Sequence, residues 1–237
     1  MPTLSPRVSV IIPVHNEEAS ILSCIRSACD SVSISLLEVL VVDSASSDAT
    51  QSLVEEYALK NKSIRYLKST EAGRAAQMNF GASQAKGSVF LFVHADTLLR
   101  AGFEQDLDDF WLSDKQWGFC NVHFDSPKIR FRILAFMINA RSRLTQIATG
   151  DQSQFIKREV FRALDGFPSQ PLMEDVELSK YLKRESKPFF PNTPCQTEAR
   201  KWESEGFLKT IFLMWRLRYR YWRGVDAAEI YKSYYRS

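Results

Sequence analysis

No stretch of the sequence runs for the ~18 apolar residues that a membrane-spanning helix requires. The apolar run Val8–Val14 is short, contains Pro13 and leads into Glu17 and Glu18, so it reads as a buried strand and not as a signal peptide. Cysteine is scarce: Cys24, Cys29, Cys120 and Cys195 lie scattered, with no CxxC pair. That spacing does not build a zinc site or a disulfide framework, and four reduced thiols in a cytoplasmic protein are expected. Histidine is scarcer still, and none follows His123, so the C-terminal half offers no imidazole ligand. Glycine and proline number nine each, too few for a collagen-like or proline-rich chain. Net charge is also small, since 31 Lys/Arg against 28 Asp/Glu leave +3.

The small net charge conceals an asymmetry. From Arg200 onward nine Lys/Arg face four acids, so this tail carries +5 and the first 199 residues carry −2. A mildly acidic body argues against nucleic acid as a partner. The 237 residues suit one large domain with an extension.

Val8–Ile12, Leu37–Val42 and Val89–Val93 are apolar on both faces, as strands covered on both sides of a parallel sheet are. Helical patterns lie between them. Residues 17–29 place Ile21, Leu22 and Ile25 on one face, and 47–59 open on a Ser-Asp capping signal and turn Leu53, Val54 and Tyr57 inward. Residues 71–85 are Ala-rich and free of β-branched side chains. This alternation predicts an α/β fold: an open, mostly parallel, twisted sheet flanked by helices, with right-handed crossovers. Ligands gather at the C-terminal strand ends of such sheets. Pro188, Pro191 and Pro194 then mark an irregular passage, and helical, basic character is expected from Thr197 on.

Each expected strand end is polar. The first gives Pro13-Val14-His15-Asn16-Glu17-Glu18 and the second Asp43-Ser44-Ala45-Ser46-Ser47-Asp48. The helix after the third opens with Gly73-Arg74, then Gln77 and Asn79, and the fourth strand ends in His94-Ala95-Asp96. Singly, each is ordinary turn or capping chemistry. Four at one sheet edge outline a binding crevice.

These segments resemble the family 2 glycosyltransferases, whose fold is GT-A. Val8–Pro13 with Asn16-Glu17 is similar to the family's opening strand and P-x-x-N-E turn, and Val41–Thr50 to its V-D-[DG]-[GS]-S-x-D-x-T. His94-Ala95-Asp96 stands where the metal-binding D-x-D belongs, with His94 replacing the first acid. Thr149–Gln152, Leu164–Pro168 and Met173–Leu178 resemble the acceptor-side half with its Glu-Asp pair. Gly73–Asn79, His94–Thr97, Gly150-Asp151-Gln152 and Arg200–Glu203 further resemble the radical-SAM/selenodomain-associated (arsenosugar biosynthesis) subfamily.

The resemblance implies a GT-A catalytic domain over residues 1–190 and a basic, aromatic helical extension over 191–237. It implies an inverting transfer of sugar from a nucleotide-activated donor, UDP-linked, to a hydroxyl of a small-molecule or lipid-like acceptor. Pro13 and His15 would frame the base, Glu17 bond the ribose and Asp43 the base edge, with Arg74 and Gln77 toward base or diphosphate. Asp96 would ligate Mn²⁺ or Mg²⁺, with His94 as a second ligand or a nucleotide contact. Asp175 would be the general base and Glu174 the neighbour that shapes it. Gly150, Asp151, Gln152 and Trp202 would meet donor sugar or acceptor, Gly150 permitting a positive φ and close backbone approach. Two rival readings remain at this level: a non-catalytic nucleotide-sugar-binding module, and a nucleotidyltransferase that makes nucleotide sugars. The second wants a glycine-rich phosphate loop after the first strand, and Pro13–Glu17 contains no glycine.

In the tail, residues 208, 211, 212, 215, 219 and 222 form one helical stripe with Arg216, Arg220 and Arg223 close to it. Three readings stay open for it: contact with the inner face of a membrane, a lid over the acceptor with arginines near phosphates, or a docking or homodimer helix.

Overall fold

The computed structural model describes residues 5–199 and 206–235. Its strands are β1 (Val8–Val14), β2 (Leu36–Asp43), β3 (Ile64–Lys68), β4 (Val89–Phe92), β5 (Thr97–Leu98), β6 (Trp117–Phe119), β7 (Val122–Phe124), β8 (Gln154–Lys157) and β9 (Cys195–Thr197). Its helices are α1 (Ile21–Ser31), α2 (Thr50–Lys60), α3 (Arg74–Gln84), α4 (Phe103–Leu112), α5 (Ile129–Thr145), α6 (Arg158–Ala163), α7 (Glu174–Glu185), α8 (Phe207–Trp222) and α9 (Ala227–Tyr235).

The main sheet has the order β3-β2-β1-β4-β8-β6. The first four strands are parallel, and β8 and β6 add antiparallel to β4. Side chains alternate between its two faces with the period of a strand. Val8, Val10, Ile12, Val39, Val41, Val89 and Leu91 enter one core, under α1, α4 and α5. Ile11, Leu40, Val42, Phe90 and Phe92 enter the other, under α3, α6 and α7. Burial on both faces is why these strands read as continuous apolar runs. After β3 the chain crosses back over β1 to β4, so the crevice at the C-terminal ends of β1 and β4 is a topological switch point.

The first helices start later than their periodicity suggests. Residues 17–20 and 47–49 are held in loops that bond each other, and α3 begins at Arg74 because Gly73 enters with φ +114°. Thr197 is not a helix start. It ends β9, which pairs with β5 and β7 in a small second sheet, and the basic helix begins at Phe207. The β-branched Thr197 and buried Cys195 fit that paired strand, and β9 joins the sheet system from beyond residue 190.

The extension is docked. Phe207 packs edge-on against Phe131 of α5, with ring centroids 5.4 Å apart. Leu217 and Ile230 form a small core with Met173, joined by Leu172, Val176, Leu213 and Tyr221. Among the described residues no helix is long and apolar enough to cross a membrane.

Candidate active site

The first two strand ends are laced together. Asn16, with φ 56°, accepts a hydrogen bond from the Ser47 amide on its side chain (2.8 Å) and donates its own backbone amide to the Ser46 hydroxyl (2.9 Å). The Glu17 amide donates to Thr50 (2.8 Å) and the Glu18 amide to Asp48 (3.1 Å), while Glu18 accepts from the Ala49 amide (2.8 Å). Asp43 is buried, and its carboxylate accepts the Ser46 amide and hydroxyl and the Tyr66 hydroxyl. Gln77 lies beneath, its amide nitrogen donating to the Val14 and Val42 carbonyls (2.8 and 2.7 Å). It clamps the ends of β1 and β2 together. Pro13 is buried inside β1, whereas His15 is exposed with Nδ1 2.8 Å from the Ser44 carbonyl.

Arg74 stands in the crevice above this floor. The residue as a whole is exposed, while its charged end is desolvated by the protein around it. Burial opposes its charge, but Glu174, Asp151, Asp96 and Asp175 together outweigh that and hold its pKa up. Four carboxylates thus bear on this one guanidinium, and Arg141 shares two of them, Asp175 and Asp151. Half-buried Glu17 borders the same space. Desolvation raises its pKa, Ser20 partly offsets this from 3.0 Å, and Asp96 and Glu198 repel its charge.

His94 is buried and follows β4. Desolvation and the charge of Arg74 push its pKa down to about 4 against the pull of Asp96, which leaves the imidazole neutral near pH 7. The ring lies close against Gly150. A Cβ there would sit 2.6 Å from His94 Nε2 and closer still to Cε1. The expected positive φ is absent: Gly150 is outside the left-handed residues, and close approach of the imidazole is what requires glycine. Asp96 is partly exposed, with one long hydrogen bond from the Thr97 hydroxyl (3.3 Å). It lines a cleft of about 140 Å³ with Ser20, Asp125, Thr197 and Glu198.

These groups fit a hard divalent cation in one specific way. Among the described residues no three His, Cys, Asp or Glu side chains stand close enough to cage an ion. Mg²⁺ and Mn²⁺ keep several waters and bind through one or two carboxylates plus substrate phosphates, and Asp96 beside an open crevice meets that demand.

Glu174 and Asp175 open α7. Met173 turns the chain into the helix with φ 65°. Asp175 Oδ1 accepts its neighbour Val176 N–H (2.7 Å), and Oδ2 accepts the Gly150 N–H (2.6 Å). The first is local capping chemistry and the second ties the helix start to the Gly150 turn. Burial raises the pKa of both carboxyls. For Glu174 the charge of Asp175 adds to burial and brings it to about 7. For Asp175 the two backbone donors, Arg74 and Arg141 work against the rise. The two carboxyls are coupled, so each one's ionisation makes the other's harder.

Gln152 plays a different part from the one its motif suggests. It is fully buried, accepting from Ser142 (2.7 Å) and the Thr149 amide (3.1 Å) and donating to the Cys120 carbonyl (3.2 Å). It props the Gly150–Asp151 turn from behind. Asp151 faces Arg74 and Arg141. Trp202 lies outside the described residues. Sequence reasoning missed Arg141 of α5, whose pKa burial lowers while Asp175 and Asp151 hold it up. A signal existed: α5 contains no acidic residue, so its arginines have no acidic partner on their own helix.

Comparison with known proteins agrees with this geometry. Residues 9–161 match the family described as Glycosyl transferase family 2. The probable glycosyltransferase YdaM of Bacillus subtilis is 28% identical over 92% of this chain, which spans about half of that protein (55%). The mannosyltransferase PcManGT of Pyrobaculum calidifontis, solved with GDP-Man and Mn²⁺, superposes on the whole chain with a TM-score of 0.68 at 25% identity, over 66% of its own length. TarS residues 1–349 from S. aureus, solved with UDP-GlcNAc, shares the fold at a TM-score of 0.65 and 20% identity, over 81% of this chain and 58% of TarS. The GT-A architecture, a profile match across most of the chain and the glycosyltransferase relatives agree: this chain is an enzyme of glycosyl transferase family 2.

Proposed function

We propose that the chain transfers a sugar, with inversion, from a nucleotide-linked donor to an acceptor hydroxyl, with Asp175 as general base. The observation that carries this is the Glu174–Asp175 pair facing Arg74 across the crevice where β1, β2 and β4 end. The nucleoside fits the floor formed by Pro13, His15, Glu17 and Asp43, and Arg74 faces the diphosphate. Asp175, fixed by the Gly150 N–H, removes the acceptor proton as the hydroxyl attacks C1. Glu174 retains a proton near neutrality, which spares Asp175 a second adjacent negative charge. Arg141 steadies Asp175 and Asp151. A divalent cation held by Asp96 would offset charge on the departing diphosphate. Neutral, buried His94 supports Gly150 and so supports the base through packing.

The donor nucleotide is UDP in this reading, and GDP is the alternative raised by the mannosyltransferase solved with GDP-Man. The finer placement in the radical-SAM/selenodomain-associated subfamily rests on the wording of Gly73–Asn79, His94–Thr97 and Gly150–Gln152. The catalytic unit in this reading takes in β9 as well as residues 1–190, with α8 and α9 as the extension. Calorimetric titration with UDP and GDP, with and without Mn²⁺, followed by a nucleotide-sugar hydrolysis assay, tests the proposal. Metal-stimulated binding of one nucleotide with slow release of free sugar is expected. Failure to bind either nucleotide sinks it; binding without any turnover would point to the non-catalytic module.

A further inference from the structure

Two helices present apolar and aromatic side chains outward although they are docked on their inner faces. On α8 the exposed stripe is Phe212 (65%), Trp215 (53%), Tyr219 (57%) and Trp222 (76%). On α5, which meets α8 at the Phe131–Phe207 contact, Ile133, Phe136 and Met137 are exposed in the same manner. The spacing of three and four residues makes each set a continuous stripe. Single exposed apolar residues need no explanation, but stripes of this length do.

The charges carried by these two helices have one sign. The sequences IRFRILAFMINARSRLT and FLKTIFLMWRLRYRYW contain no Asp or Glu, in a chain with 28 of them. Arg132 on α5, Lys209 and Arg216 on α8, and Arg223 at its end are exposed beside the apolar stripes. A second copy of this chain would set these like charges against each other. An anionic bilayer surface complements them, and Trp, Tyr and Arg are the side chains that settle at its headgroup level.

We propose that the outward faces of α8 and α5 form a docking surface for an anionic lipid bilayer, with the helices lying in the interface and not crossing it. The proposal stands apart from the donor chemistry. Its consequence for the site is geometric: α8 packs on Met173 and Val176, beside the Glu174–Asp175 pair, so docking would bring the acceptor side of the crevice near the lipid surface.

Co-sedimentation of the full chain with phosphatidylcholine vesicles, and with vesicles half phosphatidylglycerol, tests this. Binding to the anionic vesicles roughly tenfold stronger than to neutral ones, weakened by salt, is expected. The double substitution Trp215→Asp with Trp222→Asp should abolish it, and Arg216→Glu with Arg223→Glu should remove the preference for anionic lipid. These four side chains are exposed, so an unchanged melting temperature reports intact folding. Absence of vesicle binding, equal binding to both vesicle types, or binding that survives both double substitutions overturns the proposal. So does a dimer in light scattering that the Trp substitutions dissolve.

Discussion

Two carboxyls in the first turn of one helix cannot both ionise cheaply when water is removed from them. Burial raises both, and the Glu174 pKa rises from an ordinary 4.5 to about 7. The folded state then binds this proton more tightly than the unfolded state. The stabilisation is complete below about pH 4.5 and is lost as pH rises through about 7. Glu174→Gln should therefore raise the melting temperature above pH 7, by roughly 1–3 kcal/mol of stability, with the gain vanishing at mildly acidic pH. It should also move the rising limb of the pH–rate profile to lower pH, because Asp175 then ionises without a charged neighbour. A melting curve with the same pH dependence as the parent would refute the assignment. Gly150 supplies a second test. Gly150→Ala drives a methyl into His94, so nucleotide binding should survive while turnover falls at least tenfold through displacement of the Gly150–Asp175 bond; unchanged turnover would show the contact to be idle. At this scale the sequence located Glu174, Asp175, Arg74, His94 and Asp96, because motif chemistry names residue types at fixed spacing. Gln77 and Gln152 show where that stops. Spacing put both beside the crevice, but their amides are taken up by backbone carbonyls and buried hydroxyls contributed from distant segments.

At the scale of elements, parallel strands were legible because burial on both faces leaves a mark that needs no partner to be read. The helix starts were not, since they depend on which loop bonds which. Asn16 could have capped its own helix and in the fold bonds across to the neighbouring strand end, while Asp48 accepts both the Thr50 amide at the start of its own helix and the Glu18 amide from across. Strand β9 was hidden for a related reason: three residues after a run of prolines carry no periodicity, and only β5 and β7 give them a partner. The extension's docking follows from side chains beside its stripe and not from most of the stripe itself. Leu217 is buried against Met173 and Ile230, and Tyr221 donates to Glu177 (2.6 Å) with Lys180 over its ring. Leu217→Ala should cost about 2–4 kcal/mol, as large-to-small changes in small cores do. If α8 positions the start of α7, the same change should reduce kcat more than it raises KM for the donor. A stability loss with kcat intact would limit α8 to a structural brace.

Across the whole molecule the crevice has two walls of different origin. In the proposed reading the parallel strands and Arg74 make the wall that would meet the nucleotide, and α5, the Gly150 turn and α7 make the wall that would carry the base. The net charge of +3 conceals this division as much as it conceals the basic tail, since both arginines at the site stand among carboxylates. Two walls imply two separable losses. Asp175→Asn preserves shape and both backbone hydrogen bonds through its amide oxygen only in part, and removes the proton acceptor. It should leave nucleotide affinity within about twofold and lower transfer by at least 10²-fold, the usual scale of general-base catalysis. Arg74→Ala and Asp96→Ala should do the reverse in order of events. Each should weaken nucleotide binding first, and Asp96→Ala should also erase the difference between titrations with and without Mn²⁺. Calorimetry and single-turnover assays on the three variants separate the outcomes. If Asp175→Asn loses nucleotide affinity as severely as Arg74→Ala, the walls are not independent, and the assignment of Asp175 as base falls with them.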